Sequence, residues 1–228
     1  MAFLSLGVGK GACGVRRTGP AVRTARPRFV VATAAAKDDV MQLLTSEDKV
    51  DRLKGVNMAR ELDPAEGLNL LSMAAMDPDM NVRYATVSQL SVAGLADPEK
   101  TLELLRDLVP KETDMSVKAA AADAMCAIGL PEAFDDVEAI YHETKDSLVK
   151  FSIAAGLGEL GNVKAFDLLK AILEDEASDD LLKVAALGSL GELKAPGTAE
   201  LIEPFLEAED ASVKARAEDT MSMLKSGE

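Results

Sequence analysis

Tryptophan is absent from this 228-residue chain, and tyrosine and phenylalanine number only two and six. So few rings exclude a core built on large aromatics and leave alanine, leucine, valine and methionine to do the packing. That supply suits closely spaced helices better than stacked sheets. His142 is the single histidine, which removes metal sites made of several histidines and leaves any acid–base mechanism to one ring. We read it as a surface residue. Of the two cysteines, Cys13 lies in an N-terminal segment of distinct composition and Cys126 in an alanine-rich stretch. Once that segment is removed no intrachain disulfide can form, and Cys126 reads as a small buried hydrophobe. No window approaches the roughly twenty consecutive apolar residues that cross a bilayer, so no transmembrane segment is expected.

Acidic residues are missing from one region only. Positions 1–36 hold six of the 25 cations and none of the 39 acids, leaving 19 against 39, a net charge of −20, for the rest. A segment rich in arginine and alanine, ending in "RFVVATAAA", reads as a disordered organellar transit peptide rather than a secretory signal, whose apolar core its scattered arginines would interrupt. "VVA" before Thr33 favours a plastid address, hence the chloroplast stroma, with the mitochondrial matrix as the alternative. Residues 37–228 then form the mature domain. Its negative charge disfavours nucleic acid, whose phosphates must be neutralised by lysine and arginine. A protein partner with a basic or apolar surface fits better.

What is present is repetition. "DPDMNVRYATVSQL" from Asp77 begins like a calcium loop, with Asp77, Asp79 and Asn81 at the first three ligand places. The sixth place is Val82 instead of glycine and the twelfth Ser88 instead of glutamate, so the metal reading fails. The same order of aspartate, apolar residue, cation and alanine-rich run returns as "DMSVKAAAADAM", "DSLVKFSIAAGL", "DDLLKVAALGSL" and "DASVKARAEDTM". The cations are Arg83, Lys118, Lys150, Lys183 and Lys214, with Lys54 in a weaker first copy. The steps between the five strong copies are 35, 32, 33 and 31 residues. A period of that size marks a solenoid of stacked units.

Each unit reads as two helices. "AFDLLKAILED" places Leu168, Leu169, Ile172 and Leu173 at helical spacing, and "LLKVAALGSLGEL" does so for Leu182, Ala185, Ala186, Ser189 and Leu190. The aspartate before each second helix, such as Asp146 or Asp210, is placed to cap free backbone amides. Gly94, Gly129, Gly161 and Gly197, with Pro98, Pro131 and Pro196, punctuate the connectors. The fold class is therefore all-α: an α-solenoid of about six short helical-hairpin repeats forming one cooperative body.

Tetratricopeptide and ankyrin signatures are absent. The aspartate, Val-Arg or Val-Lys and Ala-x-x-x-Leu arrangement resembles a short HEAT repeat over about Asp38 to Leu224, specifically the variant in phycobilin lyases of the E/F type and in NblB-like proteins. The resemblance implies a curved array in which the recurring cations pair with acids between neighbours as a ladder. It also implies a bilin or other tetrapyrrole as possible cofactor, and a phycobilin lyase-like activity if the protein is an enzyme at all. No catalytic residue can be matched.

Two sequences, "GKGACG" from Gly9 and "GLGELG" from Gly156, fit the dinucleotide-binding glycine spacing but lack the strand, turn and helix that give it meaning. We read the second as close helix packing. No nucleophile elbow, phosphate loop, zinc helix or catalytic carboxylate pair emerges. With Val82, Ala85, Thr86 and Leu90 facing the core, Tyr84 and Ser88 point away from it, and the repeat register carries Tyr84 onto Ala119, Phe151, Val184 and Ala215. This row, with Cys126 at its border, is the expected partner- or ligand-binding face. Were a tetrapyrrole bound, Arg83, Lys118 or Lys150 would meet its propionates. The competing expectation is that curvature buries the row between units.

Overall fold

The computed structural model describes residues 34–226. The first 33 residues, which hold nearly all of the expected transit peptide, Cys13 and the first glycine pattern, lie outside the described residues. Twelve α-helices follow in order among the described residues: α1 (Ala34–Leu44), α2 (Lys49–Ala59), α3 (Pro64–Ala74), α4 (Met80–Ala93), α5 (Pro98–Leu108), α6 (Met115–Ala127), α7 (Phe134–Glu143), α8 (Ser147–Leu160), α9 (Ala165–Glu174), α10 (Asp180–Leu193), α11 (Thr198–Ile202) and α12 (Ala211–Ser226). They make six hairpins, as the repeat count requires, and α1 takes in the last three residues of the segment 1–36.

The even-numbered helices begin at the recurring aspartates. The carboxylates of Asp48, Asp79, Asp114, Asp146, Asp179 and Asp210 accept hydrogen bonds from the N–H groups two or three residues on, at 2.8 to 3.2 Å. Each occupies amides that no turn of its own helix can satisfy. Among the odd helices, α3 and α5 start with Asp-Pro, where proline at the first position costs no hydrogen bond. Gly161 ends α8 with φ 69°, the left-handed conformation that glycine adopts without strain. Lys194 performs the same task after α10 with φ 49°, and carries a Cβ there.

The two layers differ in how they pack. Each even helix lies against the even helices on either side, α4 on α6, α6 on α8, α8 on α10 and α10 on α12, so burial spreads over much of its circumference. Small residues permit this. Ala121, Ala122 and Ala124 are buried on α6, and Gly156 and Gly158 on α8. A Cβ on Gly156 would stand 2.7 Å from Cys126 Cβ, and one on Gly158 2.8 Å from Ser189 Cα. The "GLGELG" pattern is thus a contact surface between helices. Odd helices instead present leucine and isoleucine, such as Leu102, Leu105 and Leu108 on α5 or Leu168, Leu169, Ile172 and Leu173 on α9, inward to the shared core. A stack whose one layer is drawn tight by alanine and glycine while the other carries larger side chains bends toward the tight layer. The even helices therefore line the concave side.

Candidate functional site

The recurring cation sits four residues after each capping aspartate, and this register corrects the first copy: the residue four after Asp48 is Arg52, not Lys54. Lys54 points elsewhere and pairs with Asp51 at 2.8 Å. Arg52 donates through Nε and Nη2 to Asp77 at 2.6 and 3.0 Å, while its Nη1 holds the carbonyls of Ser46 and Glu47 at 3.1 and 2.9 Å. Arg83 repeats the arrangement one unit on. Its Nε and Nη2 meet Glu112 at 2.7 and 3.0 Å, and its Nη1 meets the carbonyls of Asp77 and Pro78 at 2.9 and 3.2 Å. Each arginine thus staples the loop before its own helix to the loop before the next. Asp77 and Asp79 of the calcium-like motif are spent in this way: Asp77 in the staple, Asp79 on the N-terminus of α4 and on Lys49 at 3.0 Å.

The acid of each rung lies two residues before the next capping aspartate. Asp77 and Glu112 occupy that place ahead of Asp79 and Asp114, whereas Thr144, Ala177 and Ala208 occupy it ahead of Asp146, Asp179 and Asp210. The expected ladder accordingly has two rungs at its N-terminal end and stops. Lys118 and Lys183 have no carboxylate within 4.0 Å among the described residues. Lys150 lies 4.9 Å from the centroid of the Tyr141 ring instead, and Lys214 reaches only the exposed Glu207, at 3.7 Å. Glu112 is the most deeply set member, with its side chain 2% exposed. Hydrogen bonds from Arg83 foremost, then the backbone N–H groups of Thr113 and Asp114, overcome burial and hold its carboxyl at about 2.

On the concave side the expected row is divided. Tyr84 is 46% exposed and, with Ser88, lines an open cleft of about 420 Å³ across α4, α6 and α8. Ala119, in the same register, is buried in its floor and Asp123 borders it. Phe151 is half-buried and belongs to a second cleft, of about 510 Å³, with Tyr141, Lys145, Lys150 and Leu181. Lys118 lines a third, of about 770 Å³, beside Met115, Ile140 and Lys145. Val184 is half-buried and Ala215 exposed; neither lines these clefts. Arg83 is committed to Glu112. Cys126 is not at the border of the row: it is fully buried against Gly156, and burial, with Asp123 and Glu159 adding negative charge nearby, pushes its thiol up to about 12. His142 is exposed, its ring edge-on to Tyr141.

Two residues outside the expected row join its parts. Leu148, 49% exposed, lines both the first and second clefts, and Leu181, 61% exposed, extends the apolar surface to α10. Both stand two residues after a capping aspartate and three before the Tyr84 register, hence on the same side of the helix. That offset was the available signal. The arrangement offers shape, apolar surface and scattered charge, with no nucleophile, base and oxyanion donor brought together.

Comparison with known proteins places this geometry. The family described as HEAT repeats matches residues 38–126 and 111–187. An uncharacterized phycocyanin operon protein Z of Pseudanabaena tenuis (strain PCC 7409) is 26% identical over 148 residues, 63% of this chain and 73% of its own length. Among solved structures, one engineered protein superposes with a TM-score of 0.59 at 19% identity, over 85% of this chain and 97% of its own. A second engineered protein gives a TM-score of 0.50 at 18% identity, over 84% of this chain and 58% of the other. At such identities the structures speak for the fold alone.

Proposed function

The chain belongs to the HEAT-repeat family, and from that premise we propose that it is a noncatalytic scaffold that holds a protein partner against its concave face. The observation that carries this reading is the exposed apolar surface running from Tyr84 through Leu148 to Leu181, which joins two clefts on adjacent helices. The similarity to a phycocyanin operon protein supports a place in the assembly or turnover of pigment-bearing proteins, as in NblB-like proteins, and the composition of residues 1–36 supports the chloroplast stroma as its location. The test is photo-crosslinking to isolated pigment–protein complexes. Crosslinkers at Tyr84 and Leu148 should capture a component that one at Glu103, on the opposite layer, does not; equal capture from both layers counts against the reading. Fusion of residues 1–36 to a fluorescent protein tests the address, since uptake by mitochondria in place of plastids would overturn it.

A second reading, tetrapyrrole binding, draws on the cleft of about 510 Å³, where Tyr141, Phe151 and Leu181 lie beside Lys145 and Lys150. Flat apolar ligands with carboxylates suit rings and cations set together. Addition of biliverdin, phycocyanobilin or protoporphyrin should then shift the visible spectrum of the ligand, and Phe151→Ala should abolish the shift.

A further inference from the structure

From α6 to α10 the concave face has two edges of different chemistry, whereas on α4 the place of Glu159 and Glu192 is taken by the exposed Val92. Toward the N-termini of its helices lie Tyr84, Leu148 and Leu181. Toward the C-termini lie Asp123 on α6, Glu159 on α8 and Glu192 on α10, each exposed and with no ion pair or side-chain hydrogen bond among the described residues. Glu159 and Glu192 stand next to last in their helices, where the macrodipole already concentrates negative charge and cations are the stabilising choice. No basic residue occupies the last turn of α4, α6, α8 or α10, whereas α5 and α7 carry Arg106 and His142 there. Acids without partners on three adjacent helices, two of them set against the helix dipole, are unfavourable for the isolated fold. They become favourable when an external cation arrives.

Resting on the concave-face reading above, we propose that the partner presents a basic amphipathic segment, with apolar side chains on the Tyr84–Leu148–Leu181 edge and lysine or arginine on the Asp123–Glu159–Glu192 edge. The spacing sets a requirement on that segment. Neighbouring helices pack about 8–10 Å apart, and positions seven residues apart on a helix are separated by about 10 Å, so cations recurring every seven residues would meet successive carboxylates. Such a segment neutralises the acids and covers the exposed leucines in one step, which neither a purely apolar nor an acidic partner can do.

The experiment is fluorescence anisotropy of the full chain with labelled 18-residue Leu/Lys helical peptides, compared with a scrambled order of the same composition and with a Leu/Glu counterpart. The patterned basic peptide should bind at least ten times more tightly than either control and weaken steeply with salt. Glu159→Lys with Glu192→Lys should reduce binding at least tenfold, while the same charge change at Glu103 and Asp167, on the other layer, should leave it within about twofold; these positions are exposed, and circular dichroism checks that the fold persists. Preference for the Leu/Glu peptide, lost with Leu181→Ser but not with Glu159→Lys, would overturn the basic edge and leave the concave-face reading standing. Binding indifferent to every concave-side substitution would overturn both.

Discussion

At the residue scale, Glu112 shows how one carboxylate ties acidity to stability. Its folded value of about 2 lies below the ordinary glutamate value of 4.5, so its contribution is fully present above pH 4.5 and is lost as pH falls through about 2. Urea titrations between pH 7 and pH 2 should show Glu112→Gln less stable than the parent by about 2–4 kcal/mol at neutral pH, with the difference shrinking toward pH 2. A constant difference would mean that Arg83 does not hold the carboxyl in its charged form. Cys126 makes the opposite case: burial without a cation raises its thiol and shields it. In a Cys13→Ser background a disulfide reagent at pH 8 should label Cys126 only as fast as the protein unfolds. Both side chains were visible in the sequence, yet only the burial of Cys126 could be read from its alanine-rich surroundings. The carboxylate that Arg83 seizes lies 29 residues away, and no local pattern names it.

At the scale of the element, the staple is a property of two adjacent hairpins. Where Thr144 replaces the acid, its hydroxyl still accepts the Asp146 N–H, at 3.1 Å, as the Glu112 carboxylate accepts that of Asp114 at 2.9 Å. The loop keeps its shape and loses its grip on the preceding helix. Lys118→Arg combined with Thr144→Glu should rebuild the rung and add about 1 kcal/mol, with a coupling energy in a double-mutant cycle that neither single change supplies. Helix contact is governed by a smaller feature. Gly158→Ala should destabilise by about 1–3 kcal/mol in chemical denaturation, because its Cβ would press on the Ser189 backbone of α10. The glycine pattern from Gly156 was legible as packing without the structure, because a dinucleotide site needs a strand before it and the sequence there reads as helix. Which helix it would touch was not legible.

Over the whole molecule, the solenoid distributes stability by position. Helices α4, α6, α8 and α10 have an even neighbour on both sides, α2 and α12 on one only, and the contacts of α4 with α2 are the sparser. Hydrogen exchange should therefore find the slowest amides in α6, α8 and α10 and the fastest helical ones in α1 and α12, and uniform protection would contradict a nearest-neighbour array. The two stapled rungs lie in the first half and the clefts around Lys145 in the second, while the Tyr84 cleft sits beside the Arg83 staple.

The amino-acid sequence by itself determined the class of the molecule, the six hairpins, the capping aspartates and the buried stripes, because each depends on residues within one or two turns of each other. Only the tertiary structure decided which copy of a repeated side chain is spent and which is offered. Tyr84 stays open while Ala119 in the same register is covered, and Arg83 is clamped while Lys118 faces a cleft. The physical reason is that repeat positions share a local environment but not a neighbour: pairing and exposure depend on what the next hairpin brings to within hydrogen-bonding distance, and that is set by the distance between helices.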